Sequence, residues 1–310
     1  MMAQTIDEVL NTAQALFFAG RIDDALQLLQ DNETLTVAPA DQNRLLILHS
    51  EILIVRTWLK PHTPLDRAQT MLASALEHAV DDDQRAAALM ATGRLHYFPM
   101  FQAEAPDATL PLNFFTQANQ IWQNTGNKRG ICESQFWIGL IYQIFLLDLE
   151  KAERYFRAAL ELAEAHEFKL EKSYLVRHLG FIAQKRGELD AARTLLEQSL
   201  ALREAIGFIV YLLFSLLSLG SVCALQGDYT AAETYYNRAL STAESLNFEF
   251  SIIQALLALG DLSKQQGHCN TAKQHWERAR DLSITHDYPA GAARAEEALS
   301  ALATTYTKAE

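Results

Sequence analysis

The sequence predicts an all-α solenoid, in which helical hairpins of about 40 residues stack side by side. Three observations carry that expectation. Glycine pairs seven residues apart recur at a spacing of 40, as Gly180 and Gly187, Gly220 and Gly227, Gly260 and Gly267. Aromatic residues mark the joints at the same spacing: Phe168, Phe208, Phe248 and Tyr288. Finally, 13 glycines and 7 prolines in 310 residues are too few turn residues for an all-β chain, while 49% hydrophobic content is too high for a disordered one.

Each repeat has the same internal frame. Five residues after the second glycine stands an alanine (Ala192, Ala232, Ala272), then a large apolar residue (Leu196, Tyr236, Trp276), then a small one (Ser199, Ala239, Ala279). Weaker copies extend towards the N-terminus, with Ala152, Pro111, Ala68 and Ala25 at the alanine position and Phe156, Phe115, Leu72 and Leu29 at the large position. Gly139 sits one place off this frame. The frame predicts seven hairpins in one continuous domain over 1–310, at about 3–38, 40–80, 82–126, 128–167, 168–207, 208–247 and 248–287. A capping helix over 288–307, with Ser300 at the first-glycine position, completes about fifteen helices. Two insertions, WLKPHTP and FPMFQAEAPD, hold four of the seven prolines and predict longer loops.

The second glycine of each pair permits the tight turn between helices, and the first lets the paired helices approach closely. Two residues before the alanine stand Asp23, Asp66, Thr109, Glu150, Asp190, Thr230 and Asn270, mostly residue types that cap helix N-termini. Thr230 with Glu233 has the spacing of a capping box. Pro111 falls in a first helical turn, where its missing N–H is tolerated.

The Gly–x6–Gly–x4–Ala–x3–large–x2–small frame resembles the tetratricopeptide repeat family, in the longer 40-residue version found in bacterial regulators. The resemblance implies a right-handed superhelix that binds a protein or peptide in its concave groove, without enzymatic activity or cofactor. It also implies which residues line that groove. They are Tyr174, Arg177, Phe181 and Gln184 in the fifth repeat, Phe214, Leu217, Ser221 and Ala224 in the sixth, and Gln254, Leu257, Asp261 and Lys264 in the seventh. Each set follows i, i+3, i+7, i+10 spacing and shares one helix face. Phe181, Phe214, Leu217 and Leu257 then form an apolar floor, which either marks a binding site or is covered as core by the superhelical winding and the flanking helices. Arg177 is placed to pair with a ligand's carboxylate or phosphate, or else with Glu133 or Asp261 within the chain.

Other classes find little support. A net charge of −12 argues against nucleic acid as partner. The uncharged stretch from Ala205 to Gly227 is long enough to span a membrane, but it fills the slot of two soluble repeat segments and reads as a buried helix. Three cysteines and the absence of an N-terminal leader pattern fit a reducing, cytoplasmic setting. No phosphate loop or nucleophile elbow is present, and His268, Cys269 and His275 match no zinc spacing, so neither catalysis nor a metal is expected. A small or lipophilic ligand in the same groove, or self-association through the apolar stretch, are the alternatives to a peptide partner.

Overall fold

A computed structural model describes residues 5–33, 37–59, 64–103 and 105–307. Within them the chain forms fifteen α-helices and no strand. They run α1 (Ile6–Phe18), α2 (Ile22–Asp31), α3 (Pro39–Leu59), α4 (Asp66–Glu77), α5 (Asp82–Tyr97), α6 (Thr109–Thr125), α7 (Lys128–Ile144) and α8 (Leu149–Ala165). The second half continues with α9 (Lys169–Lys185), α10 (Leu189–Ala205), α11 (Ile209–Leu225), α12 (Tyr229–Leu246), α13 (Glu249–Gln265), α14 (Cys269–Thr285) and α15 (Pro289–Thr307). Each helix packs on the next, so the architecture is an all-α solenoid closed at its C-terminal end by α15.

The frame glycines work by contact. A Cβ on Gly220 would stand 2.3 Å from the Tyr236 ring, and one on Gly260 would stand 2.3 Å from the Trp276 indole. The large residue of the second helix therefore lies flat over the glycine of the first. Gly139 meets Phe156 in the same way although it is one place off the frame. The α7–α8 turn accounts for this: it runs Phe145 to Asp148, one residue longer than the Arg186–Glu188 turn between α9 and α10. Leu147, at φ 53°, takes the left-handed position that Gly187 fills at φ 79°. Gly93 similarly meets Phe115.

The capping expectation needs correction. Helices of the second set begin two residues after the left-handed residue, so their caps are Asp148, Glu188, Asp228 and His268. Asp148 and Asp228 accept hydrogen bonds from the Lys151 and Ala231 amides at 2.9 and 3.1 Å. Asp23, Asp66, Thr109, Glu150, Asp190, Thr230 and Asn270 lie inside first turns instead, and the Thr230–Glu233 box does not form. The acidic ones still act there, at the positive end of the helix dipole.

In the second insertion Phe98–Gln102 form a 3-10 turn, and α6 begins only at Thr109. In the first, residues 60–63 lie outside the described set. The uncharged 205–227 stretch is broken at Gly207, φ 68°, and contributes α11; no helix among the described residues is long and apolar enough to cross a membrane.

The superhelix winds until its beginning meets its far side. Helix α1 touches α11, and α3 touches α13. One hydrophobic cluster joins Val9, Leu45 and Ile52 to Phe208, Val210, Leu213 and Phe248. At this seam the backbone of Gly20 comes so close that a Cβ there would stand 3.1 Å from Leu246. The concave side is thereby partly closed off.

Candidate functional site

Enclosure leaves a cavity of about 450 Å³, within the roughly 300–1,000 Å³ range of small-ligand sites. Its walls come from α1, α3, α5, α7, α9 and α11, with Arg203 entering from α10. First helices of successive repeats face inward, and their inward stripe is largely aromatic. Phe136 stacks on Tyr174 at 5.3 Å, Tyr174 meets Tyr211 edge-on at 5.3 Å, and Tyr211 lies 4.7 Å from Phe208. Across the cavity Tyr97 contacts Trp137 edge-on at 5.2 Å and Phe145 at 5.5 Å. Burial pushes the Tyr97 and Tyr174 hydroxyls well above the usual tyrosine range, so these side chains stay neutral.

Charge enters this apolar wall as four arginines and three glutamates. Arg94 bridges Glu51, at 2.7 Å, and Glu133, while its guanidinium lies 5.0 Å above the Trp137 ring. Arg129 pairs with the buried Glu171 at 2.6 Å. Arg177 pairs with neither Glu133 nor Asp261: the first belongs to Arg94, and the second bonds Arg294 and the Trp276 indole N–H. Instead Arg177 meets the His178 ring at 3.2 Å and Ser218 at 3.4 Å, and lies 5.7 Å over Phe214.

His178 fixes that arrangement. Gln143 accepts from its Nδ1–H at 2.6 Å and donates back to its carbonyl oxygen, which leaves Nε2 to accept from Arg177. Burial, and then the nearby Arg177 and Arg203, hold the imidazole pKa well below its ordinary value. A neutral histidine orients Arg177 without neutralising it.

The sequence-derived groove residues divide by depth in the superhelix. Tyr174, Arg177 and Phe214 line the cavity. Leu257 is 1% exposed and packs into the α13–α15 core with Trp276, so it offers no surface. Leu217 is half-buried and packs against the clusters that hold Leu216 and Tyr236. Gln184 bonds Ser221 at 3.0 Å, and Gln254 meets the Tyr288 hydroxyl at 3.4 Å. Asp261 is tied to Arg294, Lys264 sits 5.9 Å from Trp276, and the exposed Phe181 carries Lys185 over its ring. The site is thus centred nearer the N-terminus than repeats five to seven. Its other walls, from Phe17, Phe18, Tyr97 and Trp137, come from hairpins where the repeat signal is weak.

Arg203 is the residue that the sequence reading passed over. Its repeat equivalents are Ala163, Ala243 and Ser283, all small and fully buried. An arginine in that register is the signal that marked it.

Family comparison agrees with this geometry. Tetratricopeptide repeat models match residues 133–166, 170–245 and 211–285. Residues 133–166 and 170–285 are thus tetratricopeptide repeats within an all-α solenoid. No curated protein matches its sequence. Among solved structures, a Rap protein complexed with Competence and Sporulation Factor is similar over 98% of this chain and 99% of its own, with TM-score 0.54 and 16% identity. NprR in complex with its cognate peptide NprX is similar over 97% of this chain and 83% of its own, with TM-score 0.58 and 17% identity. A signal-transduction ATPase with a tetratricopeptide repeat sensor, from Pyrococcus horikoshii, is similar over 92% of this chain and 43% of its own, with TM-score 0.62 and 17% identity. At such identities the likeness is one of fold.

Proposed function

We propose that this solenoid is a non-enzymatic binding module, which takes up a short peptide segment inside its closed ring and uses occupancy to set how tightly the ring closes. The observation that carries this reading is the partly enclosed aromatic cavity of about 450 Å³ between α1, α3, α5, α7, α9 and α11. Tyr174, Arg177 and Phe214 supply its floor. Burying two or three apolar side chains there contributes about 1.5–3 kcal/mol each before ordering costs. The two similar solved structures named for their bound factor and peptide support a peptide occupant. The cavity's volume favours one other reading, an apolar small molecule in the same place.

Because α1 and α3 contact α11 and α13, any ligand that fills the space between them acts on the seam directly. The uncharged fluorophore 1-aminoanthracene tests access to the cavity. It should bind saturably at one site per chain, and Phe214→Ala and Tyr174→Ala should weaken it about tenfold. A non-saturating signal, or full affinity in both variants, contradicts the proposal.

A further inference from the structure

The cavity's charges do not cancel. Of its four arginines, Arg94 and Arg129 are held by Glu51, Glu133 and Glu171. No carboxylate among the described residues pairs with Arg177 or Arg203. Arg203 is 1% exposed, and its Nη1 donates to the Tyr211 carbonyl oxygen at 2.5 Å and to Ser215 at 2.8 Å. The Nε atoms of both arginines are buried without an acceptor.

Both arginines depart from the repeat frame, at different positions. Arg203 stands where the neighbouring repeats place Ala163, Ala243 and Ser283. Arg177 stands three residues before a frame glycine, where the following repeats place Leu217 and Leu257 and the preceding one places Phe136 before Gly139. Packing needs a small residue at the first position and an apolar one at the second. Neither arginine therefore serves the solenoid as such.

Both reach the same face of α11: Arg203 bonds Ser215 and Arg177 meets Ser218, three residues on. Burial lowers both guanidinium pKa values, Arg203 to about 9 with Arg177 adding repulsion, and Arg177 to about 10. Two like charges brought together in an apolar wall are the arrangement that an incoming anion would relieve.

We propose that Arg177 and Arg203 together form an anion-recognition site, and that the ligand of this cavity is an apolar body ending in a carboxylate. The inference rests on the cavity being the binding site, and it adds the ligand's chemical class. Guanidinium forks match a carboxylate's two oxygens, and the aromatic wall of Phe136, Tyr174 and Phe214 receives the body. The carboxylate is the free C-terminus of a short peptide or the head of a small acid. Either presents the same group.

The test compares two fluorophores of similar shape, 1-aminoanthracene, which is uncharged, and 8-anilinonaphthalene-1-sulfonate, which is anionic. The sulfonate should bind the wild type, and Arg177→Met and Arg203→Met should each weaken it about tenfold while leaving 1-aminoanthracene unchanged. Arg203→Lys, which keeps the charge without the fork, should fall between. Failure of both probes to bind overturns the cavity as a site. Binding of 1-aminoanthracene with no sulfonate binding, or sulfonate binding indifferent to both arginines, overturns the anion site alone. Circular dichroism of each variant guards against loss of fold, and 1-aminoanthracene binding reports an intact cavity. Displacement of the sulfonate by dodecanoate, and by acetyl-Leu-Phe-Leu-Phe as free acid but not as amide, separates the two carboxylate sources. Displacement by neither acid contradicts the proposal.

Discussion

Phe18, in the last turn of α1, lies against Phe208 at the α10–α11 joint with ring centroids 4.3 Å apart. These residues are 190 positions apart in sequence, and their contact converts an open superhelical groove into a closed ring. Phe17 adds a second ring 5.7 Å from Phe208. The seam is narrow compared with the hairpin interfaces on either side, so it is the natural place for the ring to yield.

Phe18→Ala should loosen that seam without unfolding the solenoid. Removing a half-buried ring costs about 2 kcal/mol of contact, drawn from the α1–α11 interface. Hydrogen exchange at the α1 amides should accelerate while α13 and α14 stay protected. Unchanged exchange in α1 would show that the seam is held elsewhere.

Arg203→Met should leave the empty protein as stable as the wild type or raise it by about 1 kcal/mol, since it removes a buried charge without a counter-ion. An ordinary buried, hydrogen-bonded side chain would lose about 2–3 kcal/mol on such a change. Urea denaturation distinguishes the two outcomes. A large loss would mean that the bonds to Tyr211 and Ser215 make Arg203 a structural strut.

His178 gives the pH dependence a sign. Its folded pKa lies below its unfolded value, so below about pH 6.5 the unfolded chain binds the extra proton. Stability is therefore complete above that pH and falls as pH drops, by up to ~1.4 kcal/mol per pH unit for each proton taken up. His178→Gln should flatten the slope in part, because His49, His96 and His275 are also held below their ordinary values by burial. Thermal midpoints between pH 7 and 5 check it, and an unaltered slope would place His178 outside the linkage.

Gly220→Ala should destabilise the sixth hairpin by about 1–3 kcal/mol, because the new methyl falls 2.3 Å from a buried Tyr236 ring that has little room to move. At Gly180 the nearest atom is a Leu196 carbon at 3.0 Å, so Gly180→Ala should cost under about 1 kcal/mol once the gain in helix propensity is included. Equal effects in denaturant melts would refute the contact account of the frame glycines.

How much of this was written in the sequence depends on distance. The 40-residue frame located the hairpins because each glycine–aromatic contact lies within one repeat, as Gly220 does with Tyr236. The family resemblance, laid on that frame, implied an inward face carrying Tyr174, Arg177 and Phe214, and helical periodicity kept each set on one face. Ring closure was not legible, because the Phe18–Phe208 contact depends on rotations accumulated over several hairpins. That closure, with the α15 cap, decides why Arg177 faces the cavity while Leu257, at the same repeat position, is sealed in core. The caps of α2, α8, α10, α12 and α14 were misplaced by two residues because the turn completes its reversal at a single left-handed residue, and those of α4 and α6 by one. Arg203 was legible in principle as an arginine in a small-residue register, but only once that register is known to be buried.

On this reading the ligand enters the ring and does not bind the outer surface. Hydrogen exchange of the full chain, with and without saturating 1-aminoanthracene, tests it most directly. The predicted result is new protection in α1, α3, α9 and α11, which meet at the cavity and its seam, with α12 and α14 unchanged. Protection confined to α12 and α14, or none anywhere at saturation, would contradict it.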